Sequence, residues 1–292
     1  MIEGAVCPVT AAVAVGGLAA AAWCATRSKS RPGAARFAAV TSLIFAAQMV
    51  NFPIQMGTSG HLLGGVLAAV LLGTPFGVLA IALVLSVQCL VFSDGGLAVL
   101  GANILNMAVI GAGVGGLMAG KWRGVSAGSL SRVAFAAWAS LLLAALACAV
   151  ELALAGRIPL YESLPTMLGV HALIGLAEAG LTVLAVMLLP SAQVLGRRSV
   201  LVPAAAALGI ALVLSPFASG SPDGLEWAAQ KLGFLHESAP AFLSPLNGYA
   251  VAGIPSDGLA TSLAGLAGVV LVFALGMAIA RFWTRRPILT CP

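Results

Sequence analysis

Apolar stretches of membrane-spanning length follow one another along most of the chain, separated by short polar connections. Because a helix needs about 20 mostly apolar residues to cross a bilayer, this pattern predicts an all-α polytopic membrane protein with about nine transmembrane helices. The stretches cover residues 8–26, 36–54, 62–74, 76–93, 97–120, 132–155, 167–190, 200–217 and 260–284. The third stretch is short, and Gly73, Pro75 and Gly77 predict a tight link between it and the fourth.

The connections divide the chain once, into a predicted core and a predicted accessory module. Residues 1–190 hold seven of the stretches, joined by short loops, whereas residues 191–292 hold two stretches around an outer loop at 218–259. This loop is rich in Pro, Gly and Ser but also carries aromatic side chains, and long loops of that kind usually have a function. We therefore expect a seven-helix core fused to a two-helix accessory module.

Composition supports a membrane protein and excludes other classes. Hydrophobic residues make up 61% of the 292 residues and charged residues only 8%, against about 25% charged residues in soluble domains. The lipid bilayer is therefore the expected partner of most of the surface, in a multi-pass protein of the cell (inner) membrane. The formal net charge of +5 does not indicate nucleic-acid binding, because the basic residues stand in short clusters between apolar stretches.

The charged residues are sorted by side. If the N-terminus is outside, every basic residue except Arg157 and Lys231 falls on the cytoplasmic side, as the positive-inside rule requires. The sequence thus predicts an external N-terminus and a cytoplasmic C-terminus. Apart from Glu178, the acids fall outside or at the outer helix ends. An outer face that attracts cations and a simple need for polar residues in short loops both fit this bias.

The polar stretch from Asn51 to Gly65 carries the first candidate chemistry. In it, Ser59 and His61 stand at the entry to an apolar helix. A neutral imidazole is a common protein ligand for nickel, cobalt, zinc and copper, and a histidine this close to the membrane is costly. We therefore interpret His61 as a functional residue and candidate metal ligand, with a purely structural histidine as the alternative.

Two further stretches have both structural and functional interpretations. Asp94 lies in the next outer loop, and Asn103 and Asn106, spaced i, i+3 on one helix face, predict either hydrogen bonds between helices or a polar site. His171 and Glu178 are seven residues apart and lie on one face of a later helix. Glu178 is either a hydrogen-bonded core acid or a functional one.

The N-terminus is a fourth candidate. An external α-amine, such as that of Met1, can bind a metal once it is deprotonated. An amine, a backbone amide nitrogen and imidazoles form the tetragonal nitrogen set that suits Ni(II) or Cu(II).

A GxGxxG pattern runs from Gly111 to Gly116 but follows no strand, so we interpret it as small-residue helix packing. The glycine-rich face from Gly111 to Gly120 and the basic clusters are also candidate docking surfaces for partner subunits.

At these residues the chain resembles the CbiM/NikM family, the substrate-specific components of nickel/cobalt energy-coupling-factor transporters. The matching blocks of the core are Asn51 to Gly65, Asp94 to Met107 and His171 to Glu178. The segments Ser221 to Glu226 and Gly258 to Gly268 resemble the CbiN-type PDGLE module, fused here as in NikMN proteins. The resemblance covers nearly the whole chain.

The resemblance implies a metal-binding component of an ATP-driven uptake system, in the setting of cobalamin biosynthesis or nickel enzymes. It implies a coupling subunit of the CbiQ/NikQ type and ATPase subunits of the CbiO/NikO type as partners, and no permanently bound cofactor, with Ni²⁺ or Co²⁺ as the cargo. It also implies that the N-terminus enters the core, so that Met1 and His61 bind the metal. The residues expected to surround the metal or to gate the site are Glu3, Ser59, Asp94, Asn103, Asn106, His171 and Glu178.

The N-terminus departs from the family pattern. Family members begin Met-His-Ile-x-Asp/Glu-Gly, with nitrogen ligands from the second-residue histidine, whereas this chain begins Met1-Ile2-Glu3-Gly4. We expect translation to start at a Met-His pair upstream of Met1, which the two preceding codons would reveal. A chain that starts at Met1 should bind metal more weakly.

Two other functions stay open on the sequence alone. The segment from Gly57 to Gly60 fits the GxSG of rhomboid-type intramembrane proteases, with Ser59 as nucleophile and His171 as base, although the glycines after His171 lack the rhomboid spacing. A passive channel or scaffold is the other alternative. No P-loop of the form GxxxxGK[ST] occurs, so we expect a transporter subunit without its own ATPase motif and not an enzyme. The Irving–Williams order favours nickel over cobalt at a nitrogen site without deciding between them.

Overall fold

The computed structural model describes residues 2, 4–122, 124–189, 196–235 and 244–284, most of which are helical. The helices are α1 (Val6–Arg27), α2 (Ala34–Gln48), α3 (Gly65–Leu72), α4 (Thr74–Phe92), α5 (Leu100–Ala119), α6 (Ala127–Leu154), α7 (Leu160–Leu188), α8 (Arg198–Phe217), α9 (Gly224–Lys231) and α10 (Asp257–Thr284). A two-stranded antiparallel hairpin, β1 (Phe52–Pro53) and β2 (Ser59–Gly60), joins α2 to α3.

Seven helices in the described part of the chain are long and apolar enough to cross a membrane: α1, α4, α5, α6, α7, α8 and α10. This confirms the prediction of an all-α polytopic membrane protein. The other two predicted stretches are helical only in part. The second stretch stops being helical at Gln48 because the chain then forms the β-hairpin, and α3 begins only at Gly65 because Gly64 has a φ of 71°. The eight residues of α3 are all buried.

Helix α3 packs closely against α5 because glycines remove the side chains between them. A Cβ atom on Gly65 would lie 2.6 Å from the backbone of Gly111, and one on Gly115 would lie 2.7 Å from both Val66 and Ser140. This agrees with our interpretation of the glycines as a helix-packing motif. The proposal that this glycine-rich face docks a partner subunit was wrong at these positions, because packing inside the chain already occupies them.

The accessory helices α8 and α10 enclose α2 and form one bundle with the core. Phe37 and Phe45 of α2 are almost completely buried. The hydroxyl of Ser42 donates a hydrogen bond to the carbonyl oxygen of Val269 in α10 (3.1 Å). A Cβ on Gly276 would lie 3.0 Å from the Cα of Ala38.

The two ends of the bundle differ chemically. At one end, which we call the basic end, a guanidinium nitrogen of Arg31 donates to the carbonyl oxygen of Trp283 (3.1 Å), and one of Arg36 donates to that of Leu71 (3.0 Å). We call the opposite end, where the hairpin and α9 lie, the His61 end. Which end faces the cytoplasm stays a prediction from the distribution of charge.

Candidate metal site

His61 lies in the short extended segment between β2 and α3 and is half-buried. Its Nδ1 atom is 3.3 Å from the carbonyl oxygen of Leu62. In the tautomer that donates from Nδ1, the lone pair needed by a metal is on Nε2. His61 interacts electrostatically with both Glu178 and His171 of α7, so the structure brings these three predicted residues together.

Glu178 fixes the segment that carries His61. Its side chain is 2% exposed, and its carboxylate oxygens accept hydrogen bonds from the backbone N–H groups of Leu63 (2.8 Å) and Gly64 (3.0 Å). Gln48 at the end of α2 holds the same segment by donating to the carbonyl oxygen of Leu63 (2.7 Å). Two backbone donors immediately before α3 are thereby satisfied, so Glu178 holds the segment that follows His61.

Replacing Glu178 by Gln should loosen the His61 segment. A carboxamide offers one acceptor oxygen to two N–H donors and places its own NH₂ group against the second, so a buried donor loses its partner at a cost of about 1–3 kcal/mol. We expect a lower melting temperature and a roughly tenfold weaker affinity for nickel, measured by calorimetry on the purified chain. Glu162→Gln, which changes an exposed acid at the start of α7, is the control and should change neither. Unchanged affinity in Glu178→Gln would show that His61 does not depend on this anchor.

The accessory module reaches the same segment from the other side. The Ser59 hydroxyl donates to the carbonyl oxygen of Ser221 (2.7 Å), and the Ser59 N–H donates to that of Pro222 (2.8 Å). The hydroxyl of Thr58 also donates to Pro222 (3.1 Å). Ser59 is fully buried in this contact, which lies two residues before His61.

These contacts argue against the intramembrane protease. The hydroxyl of Ser59 donates to backbone carbonyls of the accessory module. The Nδ1 atom of His171 is 2.8 Å from the carbonyl oxygen of Met167, to which it donates. A catalytic nucleophile and its base must lie within hydrogen-bonding distance of each other. Ser59 and His171 each hydrogen-bond to a backbone carbonyl and not to each other.

The start of α9 packs directly on His171. A Cβ atom on Gly224 would lie 3.0 Å from Cε1 and 3.2 Å from Nε2 of His171, and 2.7 Å from Cδ1 of Ile174. Asp223 caps α9 by accepting from the N–H groups of Leu225 and Glu226. His171 therefore forms the surface on which the module docks.

Asp94 joins a second contact between module and core. Its Oδ2 atom accepts a hydrogen bond from the hydroxyl of Tyr249 (2.5 Å), whose ring stacks on Phe92 with centroids 4.7 Å apart. The N–H of Leu246 donates to the carbonyl oxygen of Val91 (3.0 Å). Tyr249 and Ser93 both have positive φ values, of 58° and 57°. Such conformations persist only where surrounding contacts enforce them. The loop that contains Leu246 and Tyr249 is therefore held firmly against the end of α4.

The Tyr249 contact predicts an unusual titration. Burial raises the pKa of Tyr249 well above its ordinary value of 10, and the charge of Asp94 and their hydrogen bond act in the same direction. A raised folded-state pKa stabilises the fold fully below pH 10, and this stabilisation is lost as the pH rises towards the folded-state pKa.

The chain has two tyrosines, so the difference between wild type and Tyr249→Phe isolates this group. We expect the tyrosinate absorbance assigned to Tyr249 to be missing at pH 10 to 11 and to appear only on further alkalinisation or unfolding. Titration of Tyr249 at its ordinary pKa in the folded chain would contradict the contact.

The two asparagines of α5 act separately, and Asn106 makes a hydrogen bond between helices, which is one of the two predicted alternatives. Asn103 donates to the carbonyl oxygen of Gly95 (3.3 Å) and so holds the loop that contains Asp94. Asn106 donates to Glu151 Oε2 of α6 (2.8 Å), and both side chains are buried. The π-helical stretch Ile104–Val114 begins between them and changes the helix periodicity. Glu151, which we placed among the outer acids, is thus a second acid buried within a spanning helix.

The predicted ligand Met1 and its neighbour Glu3 lie outside the described residues. Ile2 is described and is 6% exposed, in an apolar cluster with Val6, Ala102 of α5 and Leu152 of α6. Ile2 thus packs against the bundle.

Several contacts of this region have no local signal in the sequence. Gln48 and Glu151 sit in apolar stretches with no local signal of a partner. Tyr249 contacts Asp94 across 155 positions of the chain. A signal did exist for Asp223 and Glu226, because an acid followed three residues later by Glu is a capping-box pattern.

Comparisons with known proteins agree with this architecture. Residues 1–194 match the family model CbiM, described as the cobalt uptake substrate-specific transmembrane region, and residues 197–285 match the PDGLE domain. A relative from Archaeoglobus fulgidus bears the name fused nickel transport protein NikMN. It is 37% identical over 259 residues, which cover 84% of this chain and 85% of the relative.

A second relative and a solved structure are also similar. The fused nickel transport protein NikMN of Rhodobacter capsulatus is 40% identical over 147 residues, 47% of this chain and 42% of that protein. A crystal structure of a truncated transition metal transporter is 29% identical with a TM-score of 0.55, and the match covers 64% of this chain and 94% of that one. The chain therefore belongs to the CbiM family of metal-transport membrane proteins, and it carries a PDGLE domain after its CbiM region.

Proposed function

We propose that this chain is the substrate-specific membrane component of an ATP-driven nickel or cobalt uptake transporter of the energy-coupling-factor type. It captures the divalent ion at the His61 end of the bundle, which faces outwards. The basic end faces the cytoplasm and the motor subunits. The division into a core of residues 1–190 and an accessory module of residues 191–292 is part of this proposal.

The double anchoring of His61 is the observation that carries the proposal. Glu178 and Gln48 hold the two residues after Leu62, while the module holds Ser59 through its Ser221–Pro222 carbonyls. A half-buried imidazole on a segment fixed from both sides is pre-organised, which lowers the entropic cost of binding a ligand.

The ligand chemistry supports nickel or cobalt. We propose that His61 supplies one imidazole nitrogen and that the N-terminal amine at Met1 supplies another nitrogen. Nitrogen donors of this kind suit Ni²⁺ and Co²⁺, whereas Mg²⁺ and Ca²⁺ prefer oxygen. The remaining predicted residues act around the metal: Glu178 positions His61, and Ser59 and His171 dock the module. Asp94 and Asn103 hold the 93–97 loop, and in this proposal that loop and residues 51–61 enclose the site.

Energy for uptake comes from partners in this proposal. The sequence contains no GxxxxGK[ST] motif, so ATP hydrolysis is assigned to CbiO/NikO-type subunits and force transmission to a CbiQ/NikQ-type subunit. The exposed basic residues around Arg27, Lys121 and Arg197 offer the charged surface at the basic end.

Metal-dependent stabilisation of the purified chain tests capture separately from transport. We expect nickel and cobalt at micromolar concentration to raise the melting temperature by several degrees, since a ligand at 100 times its Kd stabilises by about 2.7 kcal/mol. Magnesium at the same concentration should have no effect. Uptake of labelled nickel in cells should require the coupling and ATPase subunits together with this chain. Uptake by this chain alone would instead indicate a passive channel.

A further inference from the structure

Two buried oxygen atoms between α5 and α6 have no hydrogen-bond partner among the described residues. The Oδ1 atom of Asn106 and the Oε1 atom of Glu151 each accept no hydrogen bond, although Asn106 is 7% exposed and Glu151 is 5% exposed. The two side chains are joined by their other atoms, with Asn106 Nδ2 donating to Glu151 Oε2 at 2.8 Å. An unpartnered carboxylate oxygen buried near the end of a membrane-spanning helix is costly, which makes this pair a candidate functional position.

The surroundings of this pair also point to a ligand. Ala102, one turn before Asn106, and Leu152, next to Glu151, share an apolar cluster with Ile2 and Val6. Cys148, one turn before Glu151, interacts electrostatically with Glu151 and with Asp223 at the start of α9. Asp223 also interacts with His171, whose ring packs against Gly224 at the start of α9.

We propose that Asn106 Oδ1 and Glu151 Oε1 form an oxygen-donor position for a divalent cation, which the cargo ion occupies on its way to the nitrogen ligands at His61. The occupant named here rests on the proposed function. An amide oxygen and a carboxylate oxygen are hard donors that bind Mn²⁺, Co²⁺ and Ni²⁺ reversibly and with less selectivity than nitrogen donors. A weak oxygen site next to a strong nitrogen site collects the ion without competing for it.

Manganese is the probe that separates the two sites, because it prefers oxygen donors. Binding to the full-length purified chain is measured by the loss of the free Mn²⁺ electron paramagnetic resonance signal, in the His61→Ala background. We expect that background to retain manganese binding and His61→Ala/Glu151→Gln to bind at least about tenfold more weakly, a difference of 1.4 kcal/mol. His61→Ala/Glu162→Gln removes an exposed acid at the same end and should stay within about twofold of His61→Ala.

Equal manganese affinity with and without Glu151→Gln would overturn the inference, as would an equal loss in the Glu162→Gln control. Asn106→Ala provides a second variant that leaves the carboxylate in place. It should weaken manganese binding several-fold, and no change would count against the site. In the otherwise wild-type chain, Glu151→Gln should slow cobalt association while leaving the final cobalt absorption spectrum unchanged. Wild-type cobalt affinity in His61→Ala would refute the proposed function, whereas the manganese series decides this inference independently.

Discussion

Replacing His61 by Ala is expected to abolish nickel and cobalt capture. Loss of a residue that merely orients a ligand costs about 10–100-fold in metal affinity, so loss of the ligand itself should cost more than about 100-fold. The chain has three histidines, and of the two that the structure describes only His61 lies on the anchored segment between β2 and α3. The Nδ1 atom of His171 donates a hydrogen bond to Met167, and Gly224 packs beside its Nε2 atom. We therefore do not expect His171 to replace His61 as a ligand.

The measurement is calorimetric titration of the purified chain with nickel and cobalt, together with uptake in cells that contain the coupling and ATPase subunits. Gln55→Ala is the matched control, because Gln55 is exposed in the same hairpin loop and should leave both quantities unchanged. The melting temperature without metal should be similar in both variants, since His61 is half-buried and its side chain hydrogen-bonds to the backbone of its neighbour Leu62. Wild-type affinity in folded His61→Ala would place the metal elsewhere.

The membrane architecture could be predicted from the sequence because its signal is local. An apolar stretch long enough to span a membrane can be recognised from its own residues alone. The long helices accordingly lie where the sequence predicts them. The errors lie where tertiary contacts override the pattern. Helix α3 is only eight residues long although its sequence is uniformly apolar. The hairpin and the turn at Gly64 take up the residues before it, so the helix can begin only at Gly65.

The sequence singles out several residues of the candidate site but not the atoms that they contact. His61, Glu178 and Ser59 were found because polar groups in apolar stretches are rare. Their partners are backbone atoms: Glu178 binds the N–H groups of Leu63 and Gly64, and Ser59 binds carbonyls at Ser221 and Pro222. Backbone groups have no sequence signature, so positioning could not be distinguished from direct binding at these residues.

Docking of the module should depend on the absence of a side chain at Gly224, the residue after Asp223 in the PDGLE signature. There, even one Cβ would lie 2.7 Å from Ile174 and 3.0 Å from the ring of His171. Val is larger still, so Gly224→Val should push α9 away from α7. The Ser59–Ser221 and Ser59–Pro222 hydrogen bonds lie two or three residues from that contact and should break with it. We expect at least about tenfold weaker nickel affinity and a comparable loss of uptake, through looser positioning of His61.

Gly220→Val is the matched control, because Gly220 lies four residues earlier, is exposed, and has open space where a Cβ would be. It should leave affinity and uptake close to wild type. Cysteine crosslinking between positions 59 and 221, in Ser59→Cys/Ser221→Cys, reports docking directly and should fail when Gly224→Val is added. Full crosslinking combined with weak affinity would mean that Gly224 acts on the metal site through His171 alone. Normal affinity together with lost crosslinking would mean that the core holds His61 without the module, so that Glu178 and Gln48 suffice.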